Sequence, residues 1–148
     1  MSNTHHAEEE LSLKLFVVFS KSFRAVADKI EEDIKKYGLH PTEFAVLELL
    51  YHKGDQQIQQ IGKKVLLASG SITYVVDKLE QKNLLLRKPC PNDRRVTYAI
   101  ITEEGKQLMS DIFPRHKQAI DHLFSSLSEQ EKETIIPLLK KVGYAARG

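Results

Sequence analysis

The chain has 148 residues, 41% hydrophobic and 28% charged, with a formal net charge of +2 and one cysteine. That length gives one domain with a real core, and the composition excludes a disordered or fibrous chain. A lone cysteine excludes an internal disulfide and fits a reducing compartment.

Met1 to Glu9 (residues 1–9) has almost no apolar content and reads as a flexible tail. His5-His6 lacks the third and fourth ligands that a specific metal site needs, so no metal is expected. From Glu10 to Tyr37 (10–37), Leu11, Leu15, Phe19, Phe23, Val26, Ile30 and Ile34 recur at helical spacing, and Gly38 ends the helix. This helix is longer than a small core needs, so a partner subunit would cover its excess apolar surface. Its densest apolar run, Leu15 to Phe19, is far short of a membrane span of about 20 residues. Acidic Glu8-Glu9-Glu10 precedes that run, where a signal peptide is basic. No membrane association and a cytoplasmic location are expected.

His40-Pro41-Thr42-Glu43 has the form of a helix start, with proline at the first position. The spacing predicts a helix to His52 with Phe44, Leu47 and Leu50-Tyr51 facing inward. Ile58 to Val65 predicts a short helix on Ile58, Ile61 and Val65, and Leu66-Leu67-Ala68 makes a tight connection. Ser69 to Lys82 then predicts a second helix with Ile72, Val75, Val76 and Leu79 on one stripe. Its other side carries Gly70, Thr73, Tyr74, Asp77, Lys78 and Gln81, and its first turn is small and rich in hydroxyls. Alone, such a stretch is also an ordinary amphipathic surface helix. Two short helices, a tight turn and a polar-faced second helix make a helix-turn-helix, whose second helix fits a major groove.

After Asn83 the period turns from helical to extended. Leu84 to Lys88 and Arg95 to Ile101 are two β-like runs around a turn-rich loop, Pro89 to Arg94. A hairpin with arginines at its tip directly after a helix-turn-helix is a wing, and a long cation on a thin loop can enter a minor groove. The segment from Gln56 to Thr102 holds Lys63, Lys64, Lys78, Lys82, Arg87, Lys88, Arg94 and Arg95 against Asp77, Glu80 and Asp93 only, a mild nucleic-acid footprint. Thr102 caps a further helix that runs through Pro114 to Phe124, and Ser128-Glu129-Gln130-Glu131 is a capping box for a last helix carrying Pro137. Each proline is expected to bend its helix.

The order of elements, and above all Asp93-Arg94-Arg95 followed by Val96 to Ile101 and Thr102-Glu103-Glu104-Gly105-Lys106-Gln107-Leu108, resembles the MarR family of bacterial transcription regulators. Leu39 to Leu47 and Ile72 to Glu80 fit the same pattern. Leu66 to Glu80 also resembles the MhqR-type subgroup, repressors that respond to quinones and hydroquinones. The resemblance implies a mainly α fold with a small β-hairpin wing. A winged helix-turn-helix lobe (38–102) would be continuous with a helical dimerisation region (10–37 and 103–146). It implies an obligate homodimer, Asp93 holding Arg95 for the minor groove, Arg94 near phosphate, and a ligand pocket between the dimer helices and the DNA-binding lobe. Many members carry arginine where this chain has Tyr74, and peroxide-sensing members have a first-helix cysteine that this chain lacks.

The expected function is a sequence-specific dimeric DNA-binding transcriptional regulator. It would be a repressor on an inverted-repeat operator of double-stranded DNA, released by a small aromatic, phenolic or quinone-like ligand. The expected DNA-binding residues are Lys63, Lys64, Ser69, Gly70, Ser71, Thr73, Tyr74, Lys78, Asp93, Arg94 and Arg95, with the lysines on phosphates. Asp77 is expected to pair with a nearby Lys or Arg. Pocket candidates are Phe16, Phe19, Phe23, His40, Phe44 and His52. One alternative is a redox switch through Cys90, whose pKa Lys88 and Arg87 would lower. The other is a helical interaction protein without DNA binding. There is no catalytic motif and no cofactor motif: P-loop, G-x-G-x-x-G, H-E-x-x-H and a Ser/His/Asp arrangement are all missing from the sequence.

Overall fold

The computed structural model describes residues 2–65 and 71–148. Helix α1 (Ser2–Lys35) opens the chain. It reaches into the segment expected to be a tail. Ala7 and Glu8 to Glu10 favour helix, and His5 and His6 lie 3.5 and 4.0 Å from Glu9 and Glu10 one turn on. The apolar stripe of α1 behaves differently along its length. Leu11, Leu15, Phe19 and Phe23 are exposed, Val26 and Ile30 are half-buried, and Ile34 is buried.

Gly38, at φ +76°, turns the chain into α2 (Pro41–Lys53), whose capping box joins His40 and Glu43. Phe44, Leu47 and Leu50 face the core as predicted, whereas Tyr51 is exposed and lies edge-on to His52. A two-residue strand, β1 (Gln56–Gln57), precedes α3 (Ile58–Lys64). The recognition helix α4 (Ile72–Gln81) follows. Asn83, in the left-handed region at φ +61°, redirects the chain into β2 (Leu85–Pro89), and β3 (Thr97–Ile101) returns. The sheet is antiparallel in the order β1-β3-β2, with Leu85 opposite Ile101 and Gln56 opposite Ala99. β1 is too short to leave a periodic signal; it pairs only because α2 delivers it to the free edge of β3.

Thr102 then caps α5 (Glu103–Leu123), and Ser128 with Glu131 forms the capping box of α6 (Glu129–Arg147). Pro114 and Pro137 both sit inside continuous helices. One core serves α2 to α5 and the sheet: Val46, Leu47, Ile61, Val76, Leu79, Leu85, Ala99 and Met109 are fully buried. α1 joins it through Ile34, against α2 and α5. No residue of α6 is buried. No helix among the described residues is long and apolar enough to cross a membrane.

Candidate nucleic-acid interface

The recognition helix is held by its own pattern. Val75, Val76 and Leu79 are buried, Ile72 is half-buried, and Thr73, Tyr74 and Lys78 remain on the outer face. Tyr74 is 60% exposed, and Lys78 Nζ sits 5.4 Å from its ring centroid, close enough for a cation–π contact. The helix starts at Ile72, later than the Ser69 expected, with Ser71 as N-cap. Ser71 Oγ accepts the Tyr74 N–H at 3.2 Å. Its oxygen therefore holds the first turn, and its O–H proton stays free to donate outward. Ser69 and Gly70 lie outside the described residues. On α3, Lys63 is exposed, while Lys64 Nζ donates to Gln56 Oε1 at 2.6 Å. Lys64 is thus tied to the sheet edge.

The wing is an ordered turn. Cys90 N–H donates to the Val96 carbonyl at 2.9 Å, and Val96 N–H to the Asp93 carbonyl at 3.1 Å. Asp93 Oδ1 accepts from Arg95 N–H at 3.0 Å and from Arg95 Nε at 3.2 Å. The Arg95 side chain is nevertheless 90% exposed, so with Nε occupied it presents its terminal nitrogens to solvent. Arg94 is exposed beside it.

Two ionic ties fix these parts. Arg87 bridges α4 and β2: its guanidinium lies 2.6 Å from Asp77 Oδ1 and 2.9 Å from Glu80 Oε1, and its N–H donates to Glu80 Oε2 at 3.2 Å. Partial burial disfavours its charge, but the hydrogen bond and charge of Asp77, and then Glu80, outweigh that and raise its pKa further. Asp77 does pair with a basic residue, as expected. The readable signal was two carboxylates one turn apart, ahead of an arginine on the next strand. At the same end of α4, its C-cap residue Lys82 has Nζ 2.9 Å from the buried Glu43 and 3.3 Å from the Gly38 carbonyl, anchoring the helix to the α1–α2 corner.

The six pocket candidates do not converge on one cavity. Phe16, Phe19 and Phe23 are exposed on α1. His40 is exposed and caps α2, its Nδ1 accepting from Thr42 N–H. His52 is exposed and packs edge-on to Phe113 at 4.6 Å. Phe44 is 2% exposed, its ring 4.5 Å from that of His116. His116 is itself buried, with Nδ1 3.5 Å from Asp33 Oδ2 and no hydrogen bond made by either atom. It was legible as a histidine in register with Met109 and Ile112 on the buried face of α5. An apolar groove of about 600 Å³ opens instead between α5 and α6, lined by Ile120, Phe124, Leu127, Ile135, Ile136 and Leu139 among others. Cys90 is half-buried beyond β2. Arg87, expected beside the thiol, is paired with Asp77 and Glu80.

Comparison with known proteins bears on the same lobe. The profile of the MarR family matches residues 39–97. Over 138 residues, 93% of this chain and 95% of the relative, the chain is 62% identical to the HTH-type transcriptional regulator MhqR of Bacillus subtilis. The fold matches AbsC, a MarR family transcriptional regulator from Streptomyces coelicolor, with a TM-score of 0.83 at 20% identity, over 92% of this chain and 94% of that one. It also matches Sco3205 of the same organism, a MarR family regulator solved in complex with DNA, with a TM-score of 0.82 at 17% identity over 90% of each chain.

Proposed function

The chain belongs to the MarR family and is a DNA-binding transcriptional regulator, and from that premise we propose that it acts as a homodimeric repressor on an inverted-repeat operator. The observation that carries the dimer is an apolar face with nothing among the described residues to cover it. Leu11, Leu15, Phe16, Phe19 and Phe23 of α1 and Ile135, Ile136, Leu138 and Leu139 of α6 are all exposed. An apolar surface of this extent, on helices with capped and ion-paired polar faces, is what a subunit interface leaves when one copy is viewed alone.

Each subunit lays α4 in a major groove, with Thr73, Tyr74 and Ser71 at base edges and phosphates. Ser69 and Gly70, ahead of the cap, belong to the same expected surface. Lys63, Lys64 and Lys78 meet phosphates, and Arg94 and Arg95 reach the adjacent minor groove from the wing. Asp93 orients Arg95 without touching DNA. Two such units on a two-fold axis read half-sites about one helical turn apart.

Release follows from a small aromatic, phenolic or quinone-like effector that binds the DNA-incompetent spacing of the two lobes more tightly than the competent one; without that difference it shifts nothing. Supporting this is the aromatic character of the junction between the dimer helices and the lobe, where Phe44 meets His116 and His52 meets Phe113. Light scattering of the free protein should give twice the chain mass. Footprinting on DNA captured from the genome should give two symmetric protected half-sites, and titration with phenols and hydroquinones should erase the footprint. A monomer, or a single unsymmetric footprint, refutes the reading.

A further inference from the structure

The wing is docked as well as hinged. Besides the β1–β3 pairing, Gln57 Nε2 donates to Tyr98 Oη at 3.4 Å, and Gln59 Nε2, on the first turn of α3, donates to the Arg95 carbonyl at 3.2 Å. The peptide of Arg95 is therefore gripped from both sides, its N–H by Asp93 and its carbonyl by Gln59. Those two bonds come from different parts of the lobe. Asp93 is local to the turn, whereas Gln59 is 36 residues away and belongs to the first helix of the helix-turn-helix. The first bond fixes the conformation of the tip; only the second fixes where the tip stands relative to the helices that enter the major groove.

We infer that Gln59 is a positioning residue for DNA recognition: it sets the height of Arg95 over the minor groove and so controls the preference for narrow, A·T-rich flanks. The physical reason is preorganisation. An arginine at the end of a thin hairpin samples many positions, and enhanced minor-groove potential favours it only where the tip already stands at groove depth. The inference rests on reading Arg95 as the minor-groove contact, and the test separates the two.

Gln59 is exposed, so Gln59→Leu removes the donor without disturbing the core. The probe is a duplex selected from a random library by the unmodified protein, remade with A·T-rich or G·C-rich flanks. Gln59→Leu should bind the A·T-flanked duplex about fivefold more weakly, the loss of one neutral hydrogen bond, and the G·C-flanked duplex almost unchanged. On an Arg95→Ala background it should add nothing. Gln59→Asn, which keeps the amide but falls one methylene short, should repeat the loss. An equal loss on both flanks, a loss that persists without the Arg95 side chain, or no loss at all overturns the inference. If Arg95→Ala alone binds as the unmodified protein does, the minor-groove reading itself fails and this inference falls with it.

Discussion

Arg95 is held at Nε and peptide N–H by one carboxylate oxygen while its side chain stays 90% exposed, an arrangement with no stabilising purpose for the isolated lobe, since exposed pairs contribute little. On the proposed reading its value lies in the complex with DNA. Arg95→Ala should weaken operator binding by about 1–3 kcal/mol, read by fluorescence anisotropy at fixed salt; unchanged affinity would remove Arg95 from the interface. Gly105 is the opposite kind of residue. A Cβ there would stand 2.3 Å from the Leu84 carbonyl oxygen and 2.7 Å from Ile101 Cγ1, and backbone cannot yield as a side-chain tip can. Gly105→Ala should cost about 1–3 kcal/mol of stability, measured as the urea midpoint. Glu131 gives a pH signature. Its carboxylate accepts the Ser128 N–H at 2.9 Å, and that backbone bond, then the Ser128 hydroxyl, holds its pKa below the usual value. A depressed folded pKa contributes fully above the unfolded value and fades as pH falls through the folded one. Exchange of the Ser128 amide should therefore speed up in acid relative to its intrinsic rate, and Glu131→Gln should abolish that pH dependence.

Elements are related here by ion pairs as much as by packing. Arg87 ties the C-terminal half of α4 to β2, and Lys82, which closes that helix, ties it to the α1–α2 corner. The C-terminal half of the recognition helix is therefore joined both to the wing and to the corner where α1 meets α2. Arg87→Met would leave Asp77 and Glu80 unpaired. Their partial exposure keeps the stability cost near 1–2 kcal/mol, a lowered denaturation midpoint, but in the proposed docking the uncompensated carboxylates stand on the DNA side of the lobe. Operator affinity should fall as well, and Arg87→Lys, which keeps the charge but not the fork, should restore only part of it. Loss of stability with full DNA affinity would show that Arg87 merely braces the fold.

For the whole molecule, the division between α1 and α6 on one side and the packed lobe on the other is the governing feature. Burial along α1 rises from exposed Leu11 to buried Ile34, so a single stripe contributes to the lobe at one end and is left unmatched at the other. A charge placed in the unmatched part should separate subunits without unfolding the lobe. Phe19→Glu with Leu139→Glu should lower the solution mass toward one chain, keep the helical circular dichroism of α2 to α5, and lose operator affinity by far more than any single base contact, because a monomer forfeits the second half-site. A stable dimer in that variant would place the interface elsewhere.

The amino-acid order alone determined the succession of helices and the hairpin, the buried stripe of α4 and most of those of α2 and α3, the caps at Thr102 and Ser128, and the arginines at the hairpin tip, because those depend on residue period, capping chemistry and turn residues within a few positions of one another. Tertiary structure decided what depends on distant partners. The strand at Gln56–Gln57 exists because β3 offers an edge, Arg87 faces two carboxylates, Lys64 leans on Gln56, and Gln59 reaches the wing. For the same reason, helical period says which side of α1 is apolar, but only packing shows that Phe44 lies in the core while Phe16, Phe19 and Phe23 stay outside it.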